Sequence, residues 1–195
     1  MKKQIIENYL SDAIASFRNY KKLAEKAMEQ VSDEEFFRLI DAESNSIAIV
    51  AKHIAGNLKS RWTDFLTSDG EKDFRNRDSE FVSENDTRKS LMEFWEEGWQ
   101  TIFDALEPLT AKDFEKTITI RNQPHTICEA INRQLTHYSY HIGQITFLAK
   151  HFRSTEWQTL SVPKNKSLEF NAFMEENKSD RRKQMELAEN FGKKS

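Results

Sequence analysis

Two histidines, His137 and His141, stand four residues apart in the run His137-Tyr138-Ser139-Tyr140-His141. On a helix that spacing puts both imidazoles on one face, one turn apart. A helix chelates one transition-metal ion with this spacing, because neutral imidazole suits Zn, Ni, Fe or Cu. An isolated pair of this kind is common by chance, so its setting decides how it is read. Both residues align with Ala130, Gln134, Ile145 and Leu148, beside an apolar stripe, which turns them inward or to a bundle rim. His53 has a similar setting among Val50, Ile54 and Asn57. Three inward histidines from two helices can occupy one face of an ion and leave positions for water or substrate. His125 and His151 read as structural: one follows Pro124 at a helix start, the other lies near a helix end, where cations are favoured.

Other polar residues fall around the same positions. Asn57, Gln134 and Gln144 are placed to accept the second N–H of a metal-bound imidazole, and are equally suited to be polar core residues. Arg61, Arg75, Arg77 and Arg133 suit a substrate carboxylate, with solvated surface charge as the plainer reading. The single cysteine, Cys128, reads as a small buried hydrophobe rather than a nucleophile. Trp62, Trp95 and Trp99 read as core or pocket wall.

The elements that must carry these residues are helices. Ile5, Tyr9, Ala13, Phe17, Tyr20, Ala24, Ala27 and Val31 recur every three or four residues and predict a first long helix. A second is expected after the cap pair Asn45-Ser46, with Ile47, Val50, Ile54, Leu58 and Phe65 as its stripe. The connection over residues 67–86 has no sustained period and is long for a bundle loop, which suggests a functional or covering role. A third helix starts near Asp86-Thr87, buries Leu91, Trp95, Trp99, Ile102 and Leu106, and stops before Pro108. The run Lys116 to Arg121 alternates like a short strand, followed by a turn at Asn122-Gln123. A fourth helix is expected from about His125 to Phe152. The domain reading is a helical bundle over residues 1–175 and a charged tail over 176–195, a short helix at most.

Bulk composition agrees. Only 5 Gly and 3 Pro occur in 195 residues, too few breakers for a turn-rich β-sandwich. The net charge of −3 gives no basic surface for nucleic acid. One cysteine excludes an intramolecular disulfide and a multi-cysteine zinc site, and suits a reducing, cytoplasmic setting. No signal peptide or membrane span is expected, because no apolar run is long enough.

Longer motifs then add a resemblance. The passage from Asn45-Ser46-Ile47 through His53-Ile54-Ala55-Gly56-Asn57 to Arg61-Trp62 resembles the second helix of the DinB/YfiT-like superfamily. Asp69-Gly70-Glu71, Arg75-Asn76-Arg77-Asp78, the segment Arg133 to Ile145 and Trp157 to Pro163 are similar to a branch of that superfamily of largely unknown function. The resemblance spans roughly residues 5–172. It implies an all-α four-helix bundle with long connections and an irregular C-terminal extension. It also implies a divalent metal held by His53, His137 and His141: Zn or Ni first, with Fe or Mn as alternatives. A homodimer is implied as well. Some relatives of that kind are S-transferases or isomerases using bacillithiol, mycothiol or glutathione. The expected function is therefore a metal-binding protein, with transfer of a low-molecular-weight thiol to small electrophiles as the candidate chemistry. A non-catalytic, stress-associated dimeric bundle and a metal-dependent hydrolase are the alternatives.

Overall fold

The computed structural model describes residues 1–83 and 85–178, together with Leu187 and Phe191. The tail expected over residues 176–195 therefore lies largely outside the described residues. Of that tail, Phe191 packs against Phe170 and Phe173.

The long helices are α1 (Lys2–Glu29), α3 (Ile47–Trp62), α4 (Arg88–Leu106) and α5 (Ile127–Arg153), with short α2 (Asp33–Phe37) and α6 (Ser167–Glu176). The only strands among the described residues are β1 (Thr117–Ile120) and β2 (Gln123–Thr126), paired antiparallel. The protein is thus all-α, as its periodicity predicts. The starts are set by local chemistry. Ser46 accepts the Ile49 N–H, Thr87 the Ser90 N–H and Thr126 the Glu129 N–H, each satisfying a donor that its helix leaves open.

α3 packs on α4 and α5, and α1 packs on α5. Nearly all of α3 is buried, including His53, Asn57, Ser60 and Arg61, so this helix carries polar groups through the middle of the bundle. Around it lie Phe17, Trp95, Trp99 and Tyr138, none of them solvent-exposed. Tyr138 meets Phe17 and Trp99 edge-on at 5.9 and 5.8 Å, contacts worth about 0.5–1.5 kcal/mol each beyond burial. Its hydroxyl donates to Asn57 Oδ1 at 3.0 Å, so the one polar atom of that ring is satisfied.

Three boundaries differ from expectation. α3 ends at Trp62, where the Thr63 N–H closes on Lys59 O, and Asp64 then turns through a positive φ of 47°. Phe65 still reaches the core, from a turn rather than from the helix stripe. α5 begins at Ile127, because His125 belongs to a second strand. The hairpin turn sits at Arg121-Asn122, one residue earlier than expected, with φ of 55° and 58°. Two successive positive φ values match the twist that a two-residue hairpin requires.

The long connection after α3 is tied to this hairpin. Asp69 accepts the backbone N–H groups of Arg121 and Asn122 at 2.8 Å each, and the Gly70 N–H donates to Thr119 O at 2.9 Å. The Ser60 hydroxyl donates to Gly70 O at 3.1 Å, fixing the connection to α3 as well. Burial would raise the Asp69 pKa, but its backbone hydrogen bonds win and bring it down to about 2. No helix among the described residues is long and apolar enough to cross a membrane.

Candidate metal centre

His53, Asn57 and Arg61 follow one another at four-residue steps, so they share one face of α3. Arg133, His137 and His141 do the same on α5. The two faces meet antiparallel, since His53 reaches His137 and His141 while Asn57 reaches Tyr138. The structure thus brings all three expected histidines together. Their candidate ligand atoms lie within 4.8 Å of one another, close enough to hold a metal ion. His137 Nε2 stands 3.3 Å from His53 Nε2 and 3.1 Å from His141 Nε2.

The Nδ1 of His53 lies 2.8 Å from Glu80 Oε2, and that of His141 lies 2.7 Å from Gln144 Oε1. Both partners are acceptors, so each Nδ1 carries the proton and each Nε2 presents a lone pair. His137 Nε2 faces both lone pairs. A protonated Nε2 can satisfy only one of them, and an unprotonated Nε2 sets lone pair against lone pair in both contacts. A cation between the three nitrogens removes the conflict. Bonds of about 2.0–2.1 Å at angles between octahedral and tetrahedral separate ligand nitrogens by about 2.8–3.4 Å, and both distances from His137 Nε2 fall in that range. The residues present therefore fit a divalent ion of the Zn or Ni kind. Burial, then the neighbouring His141 and His53, push the His137 pKa down to about 3. Burial also lowers that of His141, against the Gln144 hydrogen bond. Both rings are neutral near pH 7, the state that binds metal.

Sequence reasoning did not single out Glu80. It reaches the site on the 3-10 turn Asp78–Phe81 of the long connection and is almost wholly buried. Arg75 holds it with two bonds, Nε to Oε1 at 2.8 Å and Nη2 to Oε2 at 2.9 Å. Burial would raise the Glu80 pKa, but the bonds from His53 and Arg75 outweigh it, so the carboxylate stays ionised. Gly56 makes room for it: a Cβ there would lie 2.8 Å from the carboxylate carbon and nearer still to Oε1. Glu80 comes from the long connection but binds Nδ1 of His53, behind the ring. Among the described residues no Cys, Asp or Glu joins the three histidines.

The histidines open into a cavity of about 920 Å³. Arg61, Arg75, Arg77, Arg121 and Arg133 line it, with Gln134 and Tyr140. Of the amides expected to orient imidazoles, Gln144 does so, Asn57 serves Tyr138 instead, and Gln134 Oε1 is buried with no hydrogen-bond partner among the described residues. Arg75 is bound to Glu80 rather than free for substrate. His125 and His151 lie away from the cluster, as expected: one bonds Gln123 O within β2, the other stacks on Phe147. Cys128 is exposed, not buried, because it lies on the outer side of the first turn of α5.

No curated protein and no solved structure matches the chain. The match that does exist runs over residues 4–166, most of the chain and every residue of the centre. The chain belongs to the DUF1572 family, whose members are described as proteins of unknown function.

Proposed function

We propose that this protein binds one divalent metal ion through His53, His137 and His141 in a bundle of DinB/YfiT type. We read it as a metal-dependent S-transferase that joins a low-molecular-weight thiol to a small electrophile. The observation that carries the metal is the convergence of three imidazole nitrogens on one wall of an open cavity. Its placement on the second and fourth long helices supports the superfamily reading. A structural zinc site takes four protein ligands, whereas three converge here among the described residues, which favours a position left for substrate.

When bound, a divalent ion supplies a lowered thiol pKa, so that thiolate is available at neutral pH. The chain's own groups do the rest. Glu80 and Gln144 hold the rings of His53 and His141 by their Nδ1 protons. Arg75 keeps Glu80 ionised and in place. The walls of the cavity confine the two reactants. The superfamily resemblance also leads us to propose a homodimer, checked by light scattering of the intact chain. The function is tested by calorimetric titration of zinc-loaded protein with glutathione and with bacillithiol. Binding of at least one, weakened in His137→Ala, is expected; no binding of either overturns the thiol reading.

A further inference from the structure

The cavity's charge is unbalanced. Five arginines line it, and no Asp or Glu is among its described lining residues. Two carboxylates touch those arginines from behind. Glu80 is taken by Arg75 and His53. Glu71 is shared by Arg121 at 3.1 Å, Arg75 at 3.3 Å and Arg61 at 3.6 Å. Five guanidinium charges against two carboxylates leave an excess of three.

Arg61 shows where that excess is least tolerable. Its side chain is 4% exposed, and its Nε and Nη1 have no hydrogen-bond partner among the described residues. The 3.6 Å to Glu71 is too long for a hydrogen bond. A buried guanidinium with unpaired donors is costly, so its fork calls for an acceptor. The fold nevertheless makes room for it. A Cβ on Gly70 would lie 2.9 Å from Arg61 Nη1, so the connection passes close over the guanidinium. Burial lowers the Arg61 pKa, with smaller contributions from Arg75 and Arg133 in the same direction and from Glu71 against it.

We infer that the cavity binds a small molecule by its oxyanion, a carboxylate or a phosphate, anchored by Arg61 and Arg133 at the end away from the histidines. Arg61 lies eight residues from His53 on α3, about 12 Å along the helix, and Arg133 lies eight residues from His141 and four from His137 on α5, about 12 and 6 Å. The oxyanion and the reacting group therefore sit at opposite ends of the ligand. Planar guanidinium donors match the two oxygens of such a group in a way an ammonium would not. This inference rests on the cavity being the substrate face of the histidine cluster, and it names the chemistry of what enters.

The test is calorimetric titration of the full chain, chelator-treated and zinc-loaded, with inorganic phosphate and with malonate. At least one probe is expected to bind the chelator-treated protein. Arg61→Gln should weaken it by about tenfold or more, and the exposed Arg133→Gln by about threefold. His137→Ala should leave it in place. Stronger phosphate binding assigns a phosphate ester, and stronger malonate binding a carboxylate. The inference is overturned if neither probe binds without zinc, or if Arg133→Gln and a folded Arg61→Gln bind like the wild type. Loss of zinc binding with anion binding retained would remove the metal reading and leave this one standing.

Discussion

Gly56→Ala should destabilise the protein, although the same change inside most helices stabilises. Ala exceeds Gly in helix propensity by about 1 kcal/mol, and α3 is an uninterrupted helix at this point. Against that gain stands the Glu80 carboxylate, whose carbon would lie 2.8 Å from the new Cβ. Overpacking of this kind costs about 1–3 kcal/mol. Glu80 cannot swing aside freely, because Arg75 and His53 hold both of its oxygens. Losing one such charge-assisted bond costs about 1.5–3 kcal/mol more. The net is a loss of about 1.5–5 kcal/mol. For a chain of this size that lowers Tm by roughly 3–20 °C. Thermal unfolding by circular dichroism measures it. A Tm equal to or above that of the wild type would show that Glu80 is not wedged against α3, and the account of the site would fail with it.

Further predictions follow from the same contacts. Glu80→Gln keeps an acceptor for His53 Nδ1 but removes the charge that Arg75 needs, and should weaken zinc binding by about 10–100-fold in a chelator competition. Unchanged affinity would mean that the carboxylate does not support the imidazole. Asp69 has a folded pKa of about 2, below its ordinary value. Its stabilisation is therefore complete above about pH 4 and fades as pH falls towards 2. Asp69→Asn should lower stability at pH 7 by about 1–3 kcal/mol and flatten the acid limb of a urea-midpoint profile; a profile parallel to the wild type would refute the link. Trp99→Ala removes a fully buried ring and should cost about 3–5 kcal/mol in urea unfolding, with a cost under about 1 kcal/mol counting against the core described here.

The parts of this structure that are local were legible in the sequence. Apolar spacing and the caps Ser46 and Thr87 mark α3 and α4, and the four-residue spacing of His137 and His141 puts both on one face of α5. What escaped is non-local. Glu80 comes from a segment without periodicity. Its partnership with His53 depends on Asp69 being tied to a hairpin about 50 residues further on, and on Gly56 lacking a side chain. The second strand, Gln123–Thr126, contains a proline and little β propensity, and it forms because the Arg121-Asn122 turn folds it back on β1. The arginines were visible as residues, but no pattern could tell Arg75, bound to Glu80, from Arg61, whose donors lack a partner.

The central claim is that three imidazoles share an ion, and elemental analysis tests it most directly. The full chain, purified without a histidine tag and dialysed, should carry about one divalent ion per chain, and a folded His137→Ala should carry none. A wild-type protein without stoichiometric metal, or a His137→Ala protein that keeps it, would contradict the account.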